Sequence, residues 1–95
     1  MIIISGKVYV DTKVRDEWVA QHQEMVARAR KQPGCLDLVI AADPLEENRY
    51  NIYEAWESEE HLDEWRKVAN PPESQFDPER VEVQKYQVSE SGPPL

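Results

Sequence analysis

Cysteine, glycine, histidine and basic residues are all scarce in this sequence, and each scarcity narrows what the chain can be. A single cysteine, Cys35, permits no internal disulfide and fits a reducing compartment. Three glycines leave no phosphate-cradling loop and no dinucleotide fingerprint. The two histidines, His22 and His61, share no metal-ligand spacing with Cys35 or the carboxylates, so no metal is expected. Only 11 basic residues stand against 19 acidic ones, a formal net charge of -8. That sign argues against nucleic acid or an anionic membrane surface as a partner. No apolar run approaches the roughly 20 residues that span a bilayer. The opening Met1-Ile2-Ile3-Ile4 is too short for a signal-peptide core and lacks a basic lead. Together these absences predict a cytoplasmic protein.

What is present reads as one small domain. Ninety-five residues bury a modest fraction of their surface, so the margin of stability is thin and dimerisation is a ready way to widen it. Ile2, Ile4, Gly6, Val8 and Val10 alternate with Ile3, Ser5, Lys7 and Tyr9, the pattern of a strand. Asp11-Thr12 offers a cap to a helix whose stripe is Val14, Trp18, His22, Met25 and Ala29, and Pro33-Gly34 stops it. Cys35 to Ala42 is a second strand, with Leu36, Leu38 and Ile40 on one face. The polar segment from Asp43 to Asn48 is a hairpin connection. Tyr50 to Glu57 is a third strand, presenting Tyr50, Ile52, Glu54 and Trp56 together. Ser58 caps a second helix with Leu62, Trp65 and Val68 or Ala69 on its stripe. Asn70-Pro71-Pro72 ends that helix, a loop runs through Pro78, and Val81 to Val88 is a fourth strand. The domain is expected over residues 1–88, with 89–95 a frayed tail.

This order, β-α-β-β-α-β, predicts an α+β ferredoxin-like fold: an antiparallel sheet with two helices on one face. The opposite face carries Ile3, Tyr9 and Val39, too apolar to stay wet. A second copy of the sheet is the economical cover, so a homodimer is expected.

Gly34-Cys35 after the first helix, and Tyr53-Glu54-Ala55-Trp56-Glu57-Ser58-Glu59-Glu60 leading into the second, resemble the antibiotic biosynthesis monooxygenase domain. Members carry a Pro-Gly-Cys-like turn and a Glu-x-Trp-x-Ser step at these places, and the resemblance runs from Ile2 to about Val88. It implies a dimeric α/β barrel with a pocket in each subunit between sheet and helices. It also implies oxidation of a phenolic or quinol-type aromatic by O₂ with no cofactor. A non-catalytic small-molecule-binding dimer and an isomerase on the same fold are the alternatives.

The resemblance implies a site around the second helix. Trp65 falls where members present an aromatic or His to the pocket, and His61 lies one turn before it, on the same face. An imidazole can accept a phenolic proton, and an indole can stack on a ring and donate its N–H. The bland alternative packs Trp65 in the core and leaves His61 solvated. His22, on the first helix stripe, is a second candidate base, though a buried, hydrogen-bonded histidine is the commoner role there. Trp18 on that stripe, with Tyr50 and Tyr53, is a candidate for substrate binding. The two tyrosines point to opposite faces of their strand, so at most one lines the pocket. Lys85 falls where family oxygenases place a basic residue that steadies an anion. Glu54 needs a partner, which a buried ion pair or a role as a pocket polar group would both supply, the structural ion pair being the favoured reading, and Cys35 reads as a small buried hydrophobe. The haem-degrading branch needs a His after the second helix and an Asn in the first strand. Asn70 to Phe76 contains no His, and Ser5, Gly6 and Lys7 stand in place of the Asn, so haem degradation is not expected.

Overall fold

The computed structural model describes residues 1–73 and 77–95. Four strands and three helices follow in the order β1 (Ile2–Tyr9), α1 (Thr12–Gln21), α2 (Gln23–Ala29), β2 (Cys35–Ala42), β3 (Arg49–Trp56), α3 (Glu59–Val68) and β4 (Arg80–Gln87). The sheet has the order β2-β3-β1-β4, and every pairing is antiparallel. This is the ferredoxin-like α+β arrangement, with an open sheet. The part of the expected loop at 74–76 lies outside the described residues.

Alternation decides which side chains are covered. Ile2, Ile4 and Val8 of β1, Leu38 and Ile40 of β2, and Tyr50 and Trp56 of β3 face the helices and form the core. Val26 and Ala29 of α2 close over them, with Leu62 and Trp65 of α3. Arg28 ties the two helical units together by donating to the carbonyls of Val68 and Ala69, which α3 leaves unpaired at its C-terminus. Ser58 caps the other end of α3, its Oγ accepting from the His61 N–H.

Two features depart from the periodic reading. The first helix is two helices joined at His22. In an unbroken helix the Trp18 carbonyl accepts the His22 N–H. Here the His22 ring takes that carbonyl, with Nδ1 at 2.7 Å, and the His22 N–H turns instead to Val19 O at 3.2 Å. A side chain has displaced one rung of the ladder, and the helix breaks there. In β2, Cys35 pairs with Trp56 and Asp37 with Ala55, so Leu36 is a bulged residue, 52% exposed. It leaves the face expected to hold it beside Leu38 and Ile40. Tyr9 lies on the open face as alternation expects, but it is covered there by the Arg80 guanidinium, 4.2 Å from its ring centre.

Asp43 organises the β2–β3 hairpin by accepting from the N–H groups of Leu45 and Glu46 and from the Asn51 amide. Those bonds, the Asn51 one first, pull its carboxyl down to about 2. Beyond Val88 the chain has no regular secondary structure.

Candidate functional site

Strand β3 is the floor of the candidate site. Its helix-facing residues are Tyr50, Ile52, Glu54 and Trp56, and each end of that row meets an aromatic cluster. At the first end, Trp18 is sandwiched. The His22 ring lies 3.6 Å from it on one side and the Tyr50 ring 4.1 Å on the other, both nearly parallel. His22 is only 5% exposed. Its Nδ1 faces a carbonyl oxygen, which can only accept, so Nδ1 carries a proton and Nε2 is the nitrogen left for a ligand. Burial pushes the Tyr50 phenol up to about 12, so Tyr50 acts as a donor and not as a base at neutral pH.

At the other end, Trp65 stacks offset on Trp56, ring centres 6.2 Å apart, and the Arg28 guanidinium lies 5.7 Å from its centre. Trp65 is 4% exposed and belongs to the core cluster. Among the described residues its Nε1–H meets no hydrogen-bond acceptor. His61 is half-buried one turn earlier, with Nδ1 2.7 Å from Ser58 Oγ. Its ring rests on the backbone of Gly34, where a Cβ would fall 2.1 Å from His61 Cγ. Gly34, at φ 80°, therefore both turns the chain into β2 and makes room for His61.

The seven residues singled out from the sequence do not converge on one point. His22, Trp18 and Tyr50 form one cluster. His61 and Trp65 sit on α3 at the far end of the row. Lys85 reaches the first turn of α3 and pairs with Glu59. Tyr53 projects from the opposite face of the sheet. There it lines an open depression of about 770 Å³ with Ser5, Lys7, Val39, Asn51 and Tyr86.

Glu54 corrects the sequence reading. Among the described residues it has no ion-pair partner; its Oε1 accepts from the Trp56 indole at 3.1 Å. Burial pushes its carboxyl above the usual carboxylate range, against the opposing pull of that hydrogen bond and of the Arg66 charge. Burial also pushes the Cys35 thiol up, so it is not a poised nucleophile. Among the described residues no group of three or more His, Cys, Asp or Glu could hold a metal ion. No helix there is long and apolar enough to cross a membrane.

The family model described as antibiotic biosynthesis monooxygenase matches residues 1–70. The chain belongs to this family. Solved structures with the same fold include a protein of Deinococcus radiodurans named provisionally as an antibiotic biosynthesis monooxygenase. It is 12% identical, with a TM-score of 0.76, over 100% of this chain and 99% of that one. A haem-degrading protein of Mycobacterium tuberculosis, solved with two haems in its active site, is 14% identical with a TM-score of 0.67, over 98% of this chain and 100% of that one. At these identities the likeness is one of fold. An uncharacterised protein of Synechocystis is 27% identical over 62 residues, 65% of this chain, and the match spans 42% of that protein's length.

Proposed function

We propose that the protein oxidises a phenolic or quinol-type aromatic with O₂, bound on the helix side of the sheet, without metal or organic cofactor. Family membership supports the general class. The observation that carries the finer reading is the Trp18 sandwich: a wall of stacked rings containing a histidine whose Nδ1 is held by a backbone carbonyl, which leaves Nε2 for a ligand. A planar ligand packs against such a wall, and the imidazole accepts a phenolic proton. Deprotonation gives an electron-rich anion that reacts directly with O₂, and the protein contributes orientation and anion stabilisation. Trp65 offers its unpaired N–H to a ligand oxygen from the other end of the row, and His61 is the second acid–base group. Lys85, although paired with Glu59, brings a cation to the same side of the sheet. Tyr53, on the other face, has no part in this site.

The same reading makes the protein a homodimer through the open sheet face. Ile3, Val39, Tyr53 and Tyr86 give that face an apolar end, and Lys7, Arg49 and Glu82 a charged one. Sheet-on-sheet packing of two copies would exclude water from the apolar end.

The deciding experiment follows O₂ consumption while the protein is offered a panel of dihydroxynaphthalenes and anthrones. Consumption that is stoichiometric with substrate loss, and that falls in His22→Gln, supports the proposal. Tight binding with no O₂ uptake across the panel would make the protein a small-molecule binder instead.

A further inference from the structure

The middle of the β3 row holds a carboxyl group that neither aromatic cluster accounts for. Glu54 faces the helix side, half-buried, between Ile52 and Trp56 along the strand. Across the sheet its neighbours are Leu38 on β2 and Ile4 on β1, both in the core, with Lys85 of β4 beyond Ile4. The Trp56 indole N–H fixes Oε1. Among the described residues Oε2 has neither a hydrogen-bond partner nor a cation within bridging distance. Oε2 is not sealed from its surroundings as the Glu59 Oε2 is, so it is open to a ligand, and a carboxylate so placed in an apolar row marks a candidate for function. Tyr50 and Glu54 stand four residues apart on β3, about 13 Å. A fused-ring aromatic lying over Ile52 would therefore have the Trp18–His22–Tyr50 wall at one edge and Glu54 at the other.

We propose that Glu54 Oε2 accepts the hydrogen of an aromatic hydroxyl at the edge of the ligand away from His22 and is the base for that hydroxyl, His22 serving the opposite edge. This rests on the reading above that the helix side of the sheet binds a planar aromatic. In the proton step the ligand O–H bond breaks, the proton passes to Oε2, and the electron pair stays on the ligand oxygen. The resulting carboxylic acid carries no charge to repel the new anion. The raised proton affinity that burial gives Glu54 suits this exchange, because the carboxylate is then a stronger base than an exposed one. The charged and ionisable groups around it are Arg66, Glu59 and His61 on α3, Lys85 on β4, Cys35 on β2, Tyr50 on its own strand and His22 between α1 and α2. The Trp56 indole and Arg66 favour the ionised carboxylate, and burial opposes it.

The test compares three probes of one shape: 2-naphthol, 2-methoxynaphthalene and naphthalene. Only the first donates a hydrogen bond. Affinities are measured over a series of pH values down to the lowest at which the protein stays folded, on the wild type and on Glu54→Gln. That variant keeps an acceptor for the Trp56 indole but leaves a neutral amide in the site. At pH 8 the wild type should prefer 2-naphthol over the other two by about tenfold, the size of a hydrogen bond to a charged acceptor. The preference should shrink as pH falls and Oε2 becomes protonated. Glu54→Gln should lose both the preference and its pH dependence while still binding naphthalene. Equal affinities for the three probes in the wild type would overturn the role of Glu54 and leave the aromatic site standing, with no variant needed. An undiminished preference in Glu54→Gln would do the same. Failure of the wild type to bind any of the three would overturn the aromatic site and Glu54 together.

Discussion

Replacing Trp65 by Phe tests whether the second helix is held by the packing seen here. The indole is 4% exposed, stacks on Trp56 and lies close to the Arg28 guanidinium. Phe keeps a ring in the same place but lacks the outer part of the indole. The lost apolar burial, about 40 Å², is worth about 1 kcal/mol, and the space left behind adds to it. The weakened offset stack and cation contact add a few tenths more. The expected cost is about 1–2 kcal/mol, well below the roughly 3–5 kcal/mol of a full Trp→Ala truncation. For a domain of this size that lowers Tm by about 5–15 °C. The assay is thermal unfolding at fixed protein concentration, because a dimer's Tm depends on concentration. Deleting the N–H should add nothing to the cost, since Nε1 has no acceptor among the described residues. A Tm within one or two degrees of wild type would refute the packing argument, whereas reduced affinity for a hydroxylated aromatic beside the Tm loss is what the proposed contact of its N–H predicts.

Gly34→Ala should destabilise by more than about 1 kcal/mol, because φ is positive and the new methyl would overlap the His61 ring; equilibrium urea unfolding measures it. Sedimentation at micromolar concentration should show a dimer, and a monomer would remove the case for paired sheets. Haem titration should give no stoichiometric Soret band: His22 is buried face-on against Trp18, and the His61 ring is packed on Gly34. Glu54→Gln should also change how stability varies with pH. The folded carboxyl binds its proton more tightly than the unfolded one, so its contribution is fully present below the unfolded pKa and is lost as pH rises through the folded value. The variant should therefore be the more stable protein at pH 7 relative to wild type, with the difference closing as the pH is lowered. A constant difference across that range would show that Glu54 is solvated in solution.

Local signals carried the architecture because each element declares itself over a few residues. Alternation along Ile2 to Val10, the Ser58 cap and the Pro33-Gly34 stop need no knowledge of distant contacts. The order of elements then selects the sheet topology from very few choices. The bulge at Leu36 escaped because alternation says where strand residues point only while the register is regular. The break at His22 escaped for a related reason. Spacing places His22 under Trp18, but it does not say that the ring will take the carbonyl its own N–H needs.

The candidate site was only partly legible because function here depends on which partners are missing. The sequence names Tyr50, Ile52, Glu54 and Trp56 as one face, and that face is what the structure contains. Whether Glu54 is one half of an ion pair or an uncommitted acceptor depends on what α3 and β4 bring to it. Lys85, the cation opposite in the sheet, is taken by Glu59, and Arg66 acts on Glu54 without forming a bridge. The Trp56 indole occupies one carboxyl oxygen and leaves the other. A pattern of residue types records what could pair; competition among the pairs, settled only in three dimensions, leaves one Glu54 oxygen free to accept. That remainder gives the helix face a chemical direction, with an apolar wall for the ring and a carboxylate for its hydroxyl.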